Sequence, residues 1–226
     1  MFTKKLLIGI LVLAASANIF ASHKANYKGE PMKSPYHVGA YGGYGVIDGA
    51  YNDDGQFTQG RLAFGSDVYQ WNMINAGLEL GFQSGNTMRL DVAADLVDEA
   101  GELQWQATLK PLVDLLVSTK TQLPTSRPVY LIVKAGAAYR QLQLNDRTST
   151  RDYLARVAPE VQAGLGVQLT PHAMLVLFYQ GVYSTATVGA QLKDNPDIDG
   201  ITWDPYATIC NIPTQQAGFV GIELSL

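Results

Sequence analysis

The chain is short of the features that commonly stabilise or arm an exported protein. It has a single cysteine, Cys210, so no disulfide can form within it. Its 16 Lys and Arg against 20 Asp and Glu leave a mildly acidic balance, which excludes the basic surface of a nucleic-acid binder. It has three histidines, His23, His37 and His172, with no HExxH spacing and no GxSxG. The signatures of a zinc hydrolase or a nucleophile elbow are therefore absent, and neither catalysis, a metal nor a cofactor is expected. Beyond the first 21 residues no apolar run approaches the roughly 20 residues a membrane-spanning helix needs. No Pro/Gly/Ser-rich linker divides the chain, which reads as one domain.

What is present begins with a basic head at Lys4 and Lys5, an uncharged apolar run from Leu6 to Ala15, and small residues after it. That is the pattern of a secretory signal peptide, too short in its apolar part to anchor the chain. Cleavage is expected after Ala21, with Ala17 as the alternative, and no cysteine stands there for lipid attachment. The expected organisation is a signal peptide over 1–21, a lead over 22–35 and one domain over 36–226.

The rest of the sequence alternates with period two. Val157, Val161, Ala163, Leu165, Val167 and Leu169 share one face, and Arg156, Glu160, Gln162 and Gln168 the other. Leu109 to Ser118 repeats this with Lys110, Asp114 and Ser118 opposite apolar odd positions, and Pro111 marks a local irregularity. In Asn75 to Gln83, Ala76, Leu78, Leu80 and Phe82 oppose Glu79 and Gln83; at the end, Val220, Ile222, Leu224 and Leu226 oppose Glu223 and Ser225. Strands are predicted near 36–47, 57–66, 71–90, 104–119, 128–144, 154–169, 172–184 and 213–226, eight in all; Met88 to Leu96 would be a ninth if separate. Short turns at Gly65 to Gln70, Lys120 to Arg127 and Thr170 to Pro171 alternate with longer connections at Asp48 to Gln56, Asp91 to Leu103, Asn145 to Tyr153 and Ser184 to Ile212. Alternation alone fits a soluble barrel around an apolar cavity as well as a membrane barrel with its apolar face outward. An even strand count with short turns on one rim and long loops on the other favours the second.

Several stretches resemble the outer-membrane β-barrel family of the small eight-stranded OmpA/OmpX type. These are His37 to Ile47 (HVGAYGGYGVI), Gly60 to Phe64 (GRLAF), Ala76 to Phe82 (AGLELGF), Tyr130 to Tyr139 (YLIVKAGAAY) and Ala158 to Pro171 (APEVQAGLGVQLTP). The resemblance implies an all-β, eight-stranded antiparallel transmembrane barrel with short periplasmic turns and longer extracellular loops. It also implies placement in a bacterial outer membrane, contact with its lipid and lipopolysaccharide, and insertion by the barrel-assembly machinery. Chains of this kind usually end on an aromatic residue, where this one has Leu226.

If the apolar faces meet lipid, Arg61, Glu79, Arg89, Lys110, Asp114, Lys134, Arg140, Arg156, Glu160 and Glu223 point inward. Charges in so narrow an interior must pair, so a salt-bridge network filling the lumen is expected, an ion path being the alternative. Tyr36, Tyr44, Trp71, Trp105, Tyr130, Tyr139, Tyr179 and Tyr183 fall near strand ends, where aromatic girdles sit. Asp91, Asp95, Asp98, Glu99 and Glu102 form an acidic loop cluster. DNPDIDG (194–200) lacks the following glutamate of a calcium loop. The expected role is structural or surface interaction through the loops; the rivals are a small pore, a soluble periplasmic lipid-binding barrel and a rim-located lipid hydrolase.

Overall fold

The computed structural model describes residues 35–48, 52–71, 74–89, 106–125, 128–145, 150–184, 188–193, 204–209 and 212–226. The signal and lead, the 91–103 acidic cluster, Trp105, the 194–200 segment and Cys210 lie outside them. The described residues form β1 (Tyr36–Ile47), β2 (Gln56–Trp71), β3 (Ile74–Gln83), β4 (Asn86–Arg89), β5 (Gln106–Leu109), β6 (Leu112–Gln122), β7 (Val129–Asn145), β8 (Thr150–Thr170), β9 (Ala173–Val182), β10 (Val188–Lys193), β11 (Asp204–Ile209) and β12 (Gln215–Ser225), with a short 3-10 turn at Asn52–Gly55.

Eight of these strands close a ring in the order β1, β2, β3, β6, β7, β8, β9, β12 and back to β1. Every neighbouring pair is antiparallel. The closing seam runs from His37↔Ser225 to Ile47↔Gln215. Closure gives each ring strand a hydrogen-bonded neighbour on both sides along their shared length. The start of β1, the end of β12 and the β2–β3, β6–β7 and β8–β9 connections share one rim, called here the turn side.

The structure corrects several boundaries. The predicted strands 71–90 and 104–119 are each interrupted. β4 and β5 pair with one another in the register of β3 and β6 (Gln83↔Leu112, then Asn86↔Leu109) and β5 pairs with β7, so they prolong the third and fourth ring strands past a break and Met88 adds no ninth. The break at Lys110–Pro111 follows from proline's missing donor and shifts the alternation, so that Leu109 and Leu112 both face inward. The turn expected at Gly65 to Gln70 is strand instead. β2 runs on through a register shift between Asp67 and Tyr69, where one extra residue is absorbed as a bulge. β7 and β8 reach Asn145 and Thr150, shortening the connection expected at 145–153. The connection expected at 184–212 carries the β10–β11 hairpin.

The alternation is inside out relative to a soluble protein. Leu78, Leu80, Phe82, Leu115, Val117, Leu165, Leu175, Leu177, Val220 and Ile222 are exposed on the outer face, whereas the charged residues between them are buried. Small residues let the inner wall fill. At Gly164, an added Cβ would run into the Leu177 carbonyl and Phe178 across the β8–β9 pair. Gly164→Val is expected to cost about 1–3 kcal/mol by overpacking, read as a lower urea midpoint of the folded barrel.

Candidate functional site

The barrel interior is the most elaborate chemistry among the described residues. Arg61, Glu79, Asp114, Lys134, Arg140, Glu160 and Glu223, all predicted to point inward, are each no more than 2% exposed. Arg61 sits at the centre: its guanidinium donates to both oxygens of Asp114 and, through Nη2, to Glu79 Oε1 at 3.0 Å. Lys134 Nζ donates to Glu79 Oε2 at 2.5 Å and lies 5.9 and 5.6 Å from the ring centroids of Tyr41 and Phe178. Toward the turn side Lys120 donates to Glu223. Toward the other rim Gln162 and Gln180 both donate to Glu160 Oε1 at 2.6 Å. There Arg140 donates to the Pro213 carbonyl at 2.7 Å and to Gln215 Oε1 at 3.2 Å.

Three predicted lumen residues lie elsewhere. Arg156 is exposed. β9 pairs with β8 only from Glu160 onward, so Arg156 stands where β8 has outrun that neighbour and its side chain is open to solvent. Lys110 is half-exposed at the break between β5 and β6. Arg89 ends β4 at the rim opposite the turn side, where it is part-exposed and pairs with Asp54. Conversely, Lys120 and His37 are interior residues the sequence reading missed. Lys120 continues the even-numbered face of Asp114 and Ser118 one step past the predicted strand end. Extending that alternation finds it.

The interior is also less polar than the alternation implied. Tyr41, Ala63, Ile132, Met174, Val176, Phe178, Ala217 and Phe219 form a buried cluster, with Phe178 edge-on to Tyr41 and stacked on Phe219, both at 5.1 Å. Toward the rim opposite the turn side, Ile47, Phe57, Met88, Ala107, Leu109, Leu142 and Ile212 pack together with Leu154 against them.

On the outer face Tyr36, Tyr44, Tyr139 and Tyr179 are exposed. The last three each bind a glutamine. Tyr44 donates to Gln56 Oε1 at 2.6 Å and Tyr179 to Gln216 Oε1 at 2.8 Å, while Gln141 Nε2 donates to the Tyr139 hydroxyl at 2.7 Å. Tyr183 is half-buried, its ring against Gly181. Trp71 lies at the end of β2. Tyr130 departs from the predicted girdle. It shares the parity of Ile132 and Lys134, packs against the inner aromatic cluster and donates to Gln168.

Arg89 and Asp54 form a bidentate pair, Nε–Oδ2 at 2.5 Å and Nη2–Oδ1 at 2.9 Å, and the Arg89 amide also donates to Asp54 Oδ2 at 3.0 Å. These bonds hold the Asp54 carboxyl down from its ordinary 3.8 to about 2. A depressed folded-state value means the clasp is intact above 3.8 and is lost as pH falls through about 2. Protection of the Arg89 amide, relative to an unstructured amide at the same pH, is expected to fall across that window, and in Asp54→Asn to be low already above it.

Eight antiparallel strands closed around a charged, packed interior, with an apolar outer wall, define a small antiparallel β-barrel. No protein-family model and no curated protein matches the chain. Among solved structures it is similar to Ail, the attachment invasion locus protein of Yersinia pestis, at 11% identity and a TM-score of 0.47, over 84% of this chain and 96% of that one. It is similar to Neisserial surface protein A at 12% identity and a TM-score of 0.45, over 85% and 98%. A major outer membrane protein from Thermus thermophilus gives 14% identity and a TM-score of 0.48, over 84% and 98%.

Proposed function

We propose that the chain is an integral outer-membrane barrel, exported through a cleaved signal, with a structural or surface-interaction role and no catalytic activity. One observation carries this reading: large aliphatic and aromatic side chains cover the outer wall while the charges are buried inside. A soluble lipid-binding barrel requires the reverse, an apolar cavity and a solvated exterior. In a bilayer the same arrangement pairs the ring strands on both sides and places the apolar wall in hydrocarbon. Tyr44, Tyr139 and Tyr179, with hydroxyls tied to glutamines, suit the water–lipid boundary on one side, and Tyr36 the other. The partners on this reading are outer-membrane lipid and lipopolysaccharide, with the barrel-assembly machinery acting during insertion.

A filled lumen supports the structural role over a pore. Arg61, Arg140, Lys120 and Lys134 are fully buried by their neighbours, and the apolar cluster around Phe57 and Leu142 packs beyond them. The test is cell fractionation followed by detergent gels with and without boiling. A membrane-fraction protein whose unboiled band migrates faster is expected; a protein soluble without detergent, with no heat shift, overturns the assignment. In planar bilayers the purified barrel is expected to leave the baseline unbroken. Stable conductance steps that Lys134→Ala or Glu160→Gln abolish would replace the structural role with a pore.

A further inference from the structure

His37 is the second residue of β1 and is 2% exposed, yet neither ring nitrogen has a hydrogen-bond partner. A buried polar group left this way is destabilising, so the position calls for something to bind. Nε2 lies 3.6 Å from Glu79 Oε2, and one donor atom each from His37, Glu79 and Glu223 fall within 4.8 Å of one another. That spacing is long for hydrogen bonds. The 3.6 Å separation is close to what ligands keep around a shared ion, since metal–donor distances of about 2.0–2.2 Å at tetrahedral angles hold donors about 3.4 Å apart, and a donor as far as 4.8 Å would draw in on binding.

We propose that the turn-side interior binds a divalent transition-metal ion of the zinc class between His37 Nε2, Glu79 and Glu223. The opposite face of the imidazole fits the role. Nδ1 points at Asp67 Oδ1, 4.0 Å away and itself without a hydrogen-bond partner. A carboxylate on the second nitrogen is the usual device that fixes the tautomer of a metal-bound histidine. Gly65, paired with His37 in the β1–β2 register, leaves the space the ring occupies, because a Cβ there would collide with Nε2.

The charge environment admits a cation. Around the site the carboxylates Asp67, Glu79, Asp114 and Glu223 face the cations Arg61, Lys120 and Lys134, an excess of one negative charge when the imidazole is neutral. Lys120, now on Glu223, has Asp67 Oδ1 at 3.9 Å and can transfer to it, freeing a Glu223 oxygen. Glu79 Oε2 has two lone pairs, enough to keep Lys134 and accept an ion. Asp67 is 12% exposed and provides the approach from the turn side. The two nearby lysines compete with the ion, so binding is expected to be weaker than in a closed structural zinc site.

The test is calorimetric titration of the full chain, folded in detergent micelles, with Zn²⁺, and absorption spectroscopy with Co²⁺. One equivalent bound, with a visible tetrahedral Co²⁺ band, is expected. His37→Ala should weaken binding more than about 100-fold and Asp67→Asn about 10–100-fold, while His23→Ala and His172→Ala leave it unchanged. Unboiled gel mobility checks that each variant is folded, and ¹⁵N imidazole spectra of the native chain need no variant: the His37 Nε2 signal should move on adding Zn²⁺. No binding, binding that survives His37→Ala, or a His37 ring that responds to pH and not to Zn²⁺ overturns the site.

Discussion

Arg61→Ala is expected to destabilise the folded barrel by about 3–5 kcal/mol, measured by urea unfolding from lipid vesicles. Arg61 holds Asp114 with two bonds and Glu79 with a third, and all three side chains are almost fully buried. Removing the guanidinium leaves two carboxylates without their main cation in a narrow, water-poor space. The loss therefore measures their uncompensated desolvation as much as the pair itself. Replacing Arg61, Glu79, Asp114 and Lys134 together by apolar residues of similar volume should cost far less, because both partners of each of these ion pairs leave together. A loss under about 1 kcal/mol for Arg61→Ala would be the value of a solvent-exposed pair. It would mean water reaches the network, which reopens the lumen as a path.

Leu177→Arg is the second large effect. Leu177 lies midway along β9, is 61% exposed, and pairs with Leu165 and Val220 on the same outer face. An arginine at the midplane of a lipid-facing barrel wall costs about 2–4 kcal/mol, falling to about 0–1 near the interfaces. Val157, also exposed but on the part of β8 that outruns β9, supplies the contrast. Val157→Arg should fall in the lower range. On a water-exposed surface both substitutions would be nearly silent, so equal, small losses would overturn the lipid-facing reading. The pair of measurements thus tests placement independently of fractionation.

Period-two alternation was enough to put Glu79, Asp114, Lys134, Arg140, Glu160 and Glu223 on one face, because a closed wall gives each strand only two directions to point. It did not say where the ring stops. Arg156 keeps the parity of Glu160 but is exposed, since the cover on that side of β8 depends on where β9 ends. Tyr130 was assigned outward from its nearness to a strand end, although its parity with Lys134 already pointed inward. The packed apolar cluster was illegible for another reason. Leu109 and Leu112 both face inward across the Lys110–Pro111 break, and the partners of Leu109, among them Phe57, Met88 and Leu142, come from separate strands. His37 gave no local signal at all, its neighbours Glu79 and Glu223 being contributed by β3 and β12.

The interior bonds also say something about how such a chain must mature. Lys120 finds Glu223 across 103 positions of sequence, Gln215 donates to Gln59 across 156, and Tyr41 donates to Glu223 across 182. The last strand therefore brings the counter-charge for β6 and the polar partner for β1 and β2. A nascent sheet lacking β12 would hold Lys120 facing a half-formed trough with its carboxylate still to arrive. Such an intermediate has reason to stay wet and open until the final strand docks, which makes completion of the wall and neutralisation of its contents a single cooperative event.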